Sequence, residues 1–222
     1  MSLTFLFLIF LIFLKSDFRI INELRCCQDD YDYYSHALTI VDDFDFDYSN
    51  QINTENRFYA NGKTAPIGFF GSGFLASPFL FLGKLLDNLF NTNQDILEFR
   101  KLIYSFSSIF YLFASLYLLN LTFEIKWKKY TLPLAFFGSG IIYYAFERYS
   151  MTHVYEVFTI SLIFYFSKKY YLSENNPNIY SILLPLGFLL AFLVRWTNYY
   201  IILLPLIFIR LSKYNSRLKI TK

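Results

Sequence analysis

Long uncharged apolar runs alternate with short polar stretches over the second half of the chain. Residues 102–123 form the clearest such run, and a helix of that length, rising about 1.5 Å per residue, covers the roughly 30 Å hydrocarbon core of a bilayer. Further runs follow at residues 131–146, 157–167, 178–194 and 196–209. The pattern predicts an all-α integral membrane protein in which residues 102–222 form a polytopic bundle of about five transmembrane helices.

The first apolar run, residues 3–14, is too short to span a bilayer by itself. Extended through residues 18–21, with its charged side chains reaching back to the interface, it predicts a first transmembrane helix over residues 1–24. A signal peptide is the alternative interpretation, but no small-x-small cleavage site follows the run.

The long polar part of the chain lies between these regions, at residues 25–101. Residues 31–41 have the pattern of a helix, and residues 42–48 alternate acid with aromatic, as in an exposed strand or loop. Residues 64–83 carry no charge but contain several Pro and Gly, which favour a re-entrant or interfacial segment over a continuous helix. We predict one large external loop that contains short interfacial helices.

Positive charge indicates the orientation of the bundle. Lysine clusters directly follow two of the apolar runs, at residues 126–129 and 168–169, and the last residues are strongly basic. By the positive-inside rule these parts are cytoplasmic. If residues 64–83 crossed the membrane, all of these clusters would lie outside, so the charge distribution indicates that this segment does not cross. The polar loop and residues 147–156 and 195 then face outward. The sequence therefore predicts a multi-pass protein of the cytoplasmic membrane with an external, periplasmic working face.

Composition agrees with this class. Hydrophobic residues make up 55% of the chain and charged residues only 17%, which is more apolar than an ordinary soluble domain. The net charge of +3 says little as a sum, so the distribution of charge has to be read instead. We expect the lipid bilayer as a partner and no nucleic acid.

Three polar groups share the predicted external side: the carboxylates of Asp29 and Asp30, a loop with Arg148 and His153, and a turn that begins at Arg195. A carboxylate can act as a general base toward a hydroxyl, while arginine and histidine can hold a phosphate by charge-assisted hydrogen bonds. Together they could move a group off a phosphate at a membrane surface. Solvated acidic turns and arginines that reach lipid headgroups are the purely structural alternatives.

Residues 42–48 are either a solvated acidic turn or a site for a hard divalent cation, which prefers carboxylate oxygens. A divalent metal cofactor is therefore left open, and no metal ligand is assigned. Cys26 and Cys27 are too few to form a closed zinc site.

The order of these features resembles the polyprenyl-phosphate-sugar-dependent glycosyltransferases of the C superfamily, in particular the bacterial relatives of protein O-mannosyltransferases and aminoarabinose transferases. Their Asp-[Asp/Glu]-x-x-Tyr motif is matched by residues 29–33, and their Pro- and Gly-rich interfacial segment is similar to residues 63–68. A similar helix start lies at residues 152–158, and an Arg-x-Thr-Asn turn at residues 195–198. The resemblance covers essentially the whole chain, but only the N-terminal half of a usual family member.

This resemblance implies an enzyme that transfers a sugar from a polyprenyl phosphate to an acceptor, by direct displacement with inversion at the anomeric carbon. Asp29 would be the base that activates the acceptor hydroxyl, and Asp30 would support it or help to bind a metal. The candidates for holding the donor and its phosphate are Lys63, Arg148, Arg195, His153 and Asn198.

Two alternatives remain beside the enzyme. One is a non-catalytic lipid-binding or transport-related membrane subunit built on the same helices. The other is a fragment of such a transferase that needs a second half or a partner subunit to act. Replacement of Asp29 separates the enzyme from the binding subunit, since only the enzyme depends on a general base.

Overall fold

The computed structural model describes residues 28–51, 58–90, 99–123, 128–172 and 177–211. The predicted first transmembrane helix at residues 1–24 and the two cysteines lie outside these ranges. The described residues are mostly helical, as predicted, with one short β-hairpin.

The helices and strands of the described residues have the following bounds. The α-helices are α1 (Gln28–Leu38), α2 (Phe70–Phe90), α3 (Phe99–Thr122), α4 (Lys128–Phe137), α5 (Ile141–Phe146), α6 (Thr152–Leu172) and α7 (Pro177–Val194). A π-helical turn, Thr39–Asp43, follows α1, and β1 (Phe58–Ala60) pairs antiparallel with β2 (Lys63–Ala65). After α7, the C-terminal helix begins as a 3-10 helix, Trp196–Leu203, and continues as an α-helix over residues 204–211.

The helices α2 and α3 form an antiparallel pair. Gly83, late in α2, lies against the backbone of Arg100 at the start of α3. Farther along, the Tyr111 hydroxyl donates a hydrogen bond to the Leu75 carbonyl at 2.8 Å. These contacts align α2 with the first half of α3.

In contrast, α3 and α6 run parallel. Ser107 and Tyr155 share a hydrogen bond of 2.7 Å between their hydroxyls, and near the ends of both helices Lys168 donates to the Thr122 carbonyl at 2.8 Å. Both helices therefore begin at one end of the bundle, which we call the site end. They finish at the other, which we call the lysine end.

Two further helices, α7 and the C-terminal helix, pack along α6. Gly187 of α7 packs against Ile163 of α6, and Arg195 at the end of α7 faces Glu156 near the start of α6. Phe208 of the C-terminal helix contacts Phe164, with the ring centroids 6.2 Å apart. The C-terminal end of α7 therefore lies at the site end.

Small hydroxyl side chains line the helix packing between α3, α5 and α6. Ser107 and Ser108 are fully buried, and Ser108 donates to the Ala145 carbonyl of α5 at 2.7 Å. Ser115, also fully buried, donates to the Tyr111 carbonyl of its own helix at 2.6 Å. Small residues let helices approach closely, and each of these three hydroxyls donates to a backbone carbonyl inside the bundle.

The prediction of a broken segment at residues 64–83 is wrong from residue 70 onward, because α2 is continuous through Pro78. Proline has no N–H for the carbonyl four residues earlier, that of Phe74. The Ser77 hydroxyl donates to this carbonyl instead, at 2.7 Å. The glycines of this segment lie where α7, α1 and α3 approach α2: Gly71, Gly73 and Gly83.

Residues 131–146 are also divided differently from the prediction of a single helix. The structure contains α4 and α5, separated by a turn at residues 138–140 in which the Gly138 N–H donates to the Leu134 carbonyl at 2.8 Å. Two glycines within three residues lower the helix propensity enough to end α4 here.

The predicted helix at residues 31–41 is confirmed, although it begins earlier and ends in the π-helical turn. Residues 44–48 follow as an irregular loop, one of the two structures that the alternating pattern allowed. Phe44, at the start of this loop, has a left-handed backbone (φ 54°) and is 88% exposed.

Two described helices, α2 and α3, are long and apolar enough to span a bilayer. Residues Ile179–Val194 of α7 and Trp196–Leu211 of the C-terminal helix are apolar but shorter. Long apolar helices also occur in the cores of soluble proteins, so length and composition give only weak support for a membrane protein.

Candidate functional site

Close packing against α2 fixes the position of the acidic start of α1. A Cβ atom added to Gly73 would overlap the side chain of His36 and the carbonyl of Tyr33, and one added to Gly68 would press on the Tyr33 ring. Glycine at both positions therefore lets α1 lie directly against α2 and the segment before it.

The first turn of α1 carries two carboxylates in different surroundings. Asp29 is exposed, whereas Asp30 is only 2% exposed. The Nε and Nη2 atoms of Arg148 both lie 3.2 Å from Oδ2 of Asp30. Because Arg148 immediately precedes α6, this buried ion pair joins the start of α1 to the site end of the bundle.

A second ion pair lies at the C-terminal end of α7. Nη1 of Arg195 is 3.4 Å from Oε2 of Glu156, in the second turn of α6. The backbone of Arg195 is extended (φ −161°, ψ 116°) between α7 and the 3-10 helix, and its side chain is 40% exposed. This arginine therefore keeps its guanidinium at the surface while it contacts the neighbouring helix.

Tyr33 of α1 lies close to the start of α6 and to the end of α7. Burial raises the pKa of Tyr33, and the charge of Asp29 raises it further. A hydrogen bond with Thr152 and the positive charge of Arg195 act in the opposite direction. The start of α1, the start of α6 and the end of α7 therefore meet around this hydroxyl.

His153 occupies the first turn of α6, between the two ion pairs. Burial lowers its pKa, Arg195 lowers it further, Glu156 opposes this effect, and Arg148 adds a smaller lowering. Its ring contacts Tyr144, with the centroids 3.9 Å apart. Since an unperturbed histidine titrates near pH 6.5, His153 is neutral at pH 7 and can donate or accept a hydrogen bond.

Two residues that the resemblance assigned to donor binding, Asn198 and Lys63, lie outside this group of charged side chains. Asn198 is fully buried, its Nδ2 donates to the Ala191 carbonyl at 3.1 Å, and its N–H donates to the Arg195 carbonyl at 3.1 Å. It therefore fixes the backbone turn that carries Arg195. Lys63 is exposed on β2, opposite Ala60, and within the described ranges it belongs to neither ion pair.

His36, which no sequence motif singled out, is buried in the last turn of α1. Its Nε2 is 2.9 Å from the Gly68 carbonyl and its Nδ1 is 2.8 Å from the Tyr48 hydroxyl. A carbonyl only accepts, so Nε2 donates to Gly68, and a neutral ring then accepts at Nδ1 from Tyr48. The signal in the sequence is spacing, because His36 follows Tyr33 by three positions and shares its helix face.

The acidic stretch at residues 42–48 is partly used in internal contacts. Asp43 accepts from Asn50 and Gln51, and Oδ1 of Asp45 accepts from the Asp47 N–H at 3.0 Å. Among the described residues, no group of three or more His, Cys, Asp and Glu side chains is arranged to hold a metal ion.

The arrangement combines an exposed carboxylate, a tyrosine hydroxyl, a neutral histidine and two guanidinium groups at one end of a helix bundle. Such a set can accept a proton from a hydroxyl and hold an anion beside it. No protein-family model matches the chain, and neither a curated protein nor a solved structure matches it.

Proposed function

We propose that this chain is a polytopic membrane glycosyltransferase of the C superfamily. It moves a sugar from a polyprenyl-phosphate donor to an acceptor on the external face of the cytoplasmic membrane, with inversion. The observation that carries the proposal is the meeting of Asp30 with Arg148, and of Arg195 with Glu156, around Tyr33 and His153. The sequence motifs of the resemblance contain all of these residues except Arg148.

Each side chain has a role in the proposed reaction. Asp29, which is exposed, takes the proton from the acceptor hydroxyl while the acceptor oxygen forms a bond to the anomeric carbon. The bond between that carbon and the phosphate oxygen breaks, and polyprenyl phosphate leaves with the electron pair. Arg195 stabilises the charge of the leaving phosphate, as a preorganised cation does for developing charge. Asp30 acts as a positioning residue through Arg148.

The orientation in the membrane is part of the proposal. Lys168 contacts the end of α3 at the lysine end, and the basic residues at 126–129 follow that helix in the sequence. The positive-inside rule makes that end cytoplasmic and the site end external. This orientation rests on the basic residues that follow α3 and on those at the end of α6.

A non-catalytic lipid-phosphate-binding subunit is the second candidate. The specific observation that favours it is the burial of Asp30 in an ion pair, which removes one of the two carboxylates of the motif from direct contact with an acceptor. The arginines and His153 would bind the phosphate headgroup equally well in such a subunit.

Transfer from a radiolabelled polyprenyl-phosphate sugar, in membranes that contain the full chain, tests the enzyme. We expect transfer or donor hydrolysis by the wild type and a loss of at least about a hundredfold in Asp29→Asn, because a general base contributes roughly 10²- to 10⁴-fold. Asp43→Asn, which removes an acid of the loop after α1, is the matched control and should keep its activity. Equal transfer by Asp29→Asn and the wild type would contradict the role of Asp29 as the base. If neither protein shows activity above empty membranes although both are inserted, the binding subunit is favoured.

A further inference from the structure

The two arginines of the site differ in how firmly they are held. Arg148 makes two contacts of 3.2 Å to one buried carboxylate oxygen and is 19% exposed. Arg195 is 3.4 Å from Glu156 and is 40% exposed. A charge-assisted hydrogen bond is usually about 2.8 Å long, so the Arg195 pair is a loose one. Glu156 is 15% exposed, so the pair is only partly exposed. Its length and the exposure of Arg195 make it a weak pair, and Arg195 can exchange its partner.

We propose that Glu156 is the resting partner of Arg195, and that a lipid-linked phosphate displaces Glu156 from this guanidinium when it binds. This inference rests on the proposed function, which assigns Arg195 to the donor phosphate. Arg148 stays with Asp30 throughout. Glu156 is thus a positioning residue that competes with the ligand.

The surroundings allow this exchange without a backbone movement. Asn198 fixes the turn at Arg195 by its hydrogen bonds to Ala191 and to Arg195 itself, so only the Arg195 side chain has to move. Glu156 lies three residues after His153, on the same face of α6. A phosphate that takes the place of the Glu156 carboxylate therefore arrives beside His153.

The Glu156→Gln variant distinguishes competition between Glu156 and phosphate from structural support by Glu156. Glu156→Gln keeps the length of the side chain and an acceptor for Arg195, but removes the negative charge that competes with phosphate. If Glu156 competes, Glu156→Gln binds phosphate more tightly. If Glu156 only supports the local structure, the substitution leaves the affinity unchanged or weakens it.

The test is a titration of the full chain in detergent with farnesyl phosphate. The chain has two tryptophans, so a Trp127→Phe background leaves Trp196, which is 62% exposed and adjacent to Arg195, as the fluorescent reporter. We expect Glu156→Gln to lower the dissociation constant by about two- to fivefold, the range that loss of a weak, partly exposed ion pair allows. Asp43→Asn removes the same charge outside the site and should bind like the parent.

Three results would overturn the inference. They are an unchanged or weaker affinity in Glu156→Gln, an equal gain in Asp43→Asn, and parental affinity in Arg195→Gln, which should lose most of the binding. A parallel titration with inorganic phosphate separates the two phosphate sources, and an affinity equal to that of farnesyl phosphate would overturn the lipid-linked assignment. The titration contains no sugar and no acceptor, so it distinguishes a failure of this inference from a failure of the proposed transfer reaction.

Discussion

Ion pairs anchor both ends of α1, but in different surroundings. At its start, Asp30 is 2% exposed and pairs with Arg148. Beyond its end, in the π-helical turn, Asp42 is 27% exposed, lies 2.9 Å from Lys84 of α2 and also pairs with Arg100 of α3. The same chemistry thus occurs once inside the protein and once at its surface.

The difference in burial decides what each contact contributes. A buried carboxylate that loses its partner keeps the full cost of desolvation, whereas a surface carboxylate is rehydrated by water. Asp30 and Arg148 therefore form an obligatory pair that fixes the site. The ion pairs of Asp42 hold the end of α1 against α2 and α3. Their loss should cost little unfolding free energy.

The largest effect is expected from Asp30→Ala. It leaves Arg148 partly buried without its carboxylate, and breaking such a pair costs about 3–5 kcal/mol of unfolding free energy. Denaturant unfolding in detergent, followed by circular dichroism, measures this loss. Asp29→Ala, which removes the exposed neighbouring carboxylate, is the control and should cost no more than about 0.5 kcal/mol.

The double variant Asp30→Ala with Arg148→Ala sharpens this prediction. It removes both charges, so it should be less destabilised than the sum of its two single variants. Additive losses would show that the two side chains do not depend on each other, and would contradict the assignment of a buried pair.

An intermediate effect is expected from the pH dependence of His36, midway between the two ion pairs. Burial lowers the pKa of His36, so the unfolded chain takes up a proton at a higher pH than the folded one. Stability should therefore fall as the pH drops below about 6.5, by at most about 1.4 kcal/mol for each pH unit.

Unfolding curves between pH 7.5 and 5 measure this dependence. His36→Gln should reduce this dependence, and His153→Gln should reduce it less, because His153 is the more exposed of the two histidines. A wild-type stability that stays constant over this range, or rises as the pH falls, would contradict a neutral, buried His36.

The smallest effect is expected from Asp42→Asn. Hydrogen bonds to Arg100 and Lys84 lower the pKa of Asp42, although burial alone would raise it. Because all three side chains are partly exposed, the substitution should cost at most about 1 kcal/mol at pH 7. The same unfolding assay measures it, and a cost equal to that of Asp30→Ala would remove the contrast between the two ends of α1.

Much of the helical pattern could be predicted from the sequence. Residues 102–123 and 178–194 are uncharged and uninterrupted, and they form α3 and α7 nearly as expected. The structure of residues 64–83 could not be predicted in this way. Pro and Gly can end a helix, but they can also occur inside a continuous helix where other helices pack closely. The Ser77 hydroxyl compensates Pro78 within α2, and the glycines contact other helices. The pattern of residues alone shows neither contact.

The site could be predicted only in part. Motif order and charge distribution led to Asp29, Asp30, Arg148, His153 and Arg195, which the structure brings to one end of the bundle. The pairing of these residues was not predictable, because it depends on how α1 is rotated against α2. The same is true of Asn198, whose burial follows from the turn after α7.

The distance along the chain between Asp30 and Arg148 has a consequence for the order of assembly. The two residues are 118 positions apart, whereas α2 with α3 and α6 with α7 are neighbours in sequence. Closing a long loop costs more entropy than closing a short one, so we expect these helix pairs to form first. The ion pair would close last, and a chain caught before that step would carry two unmatched charges and no site.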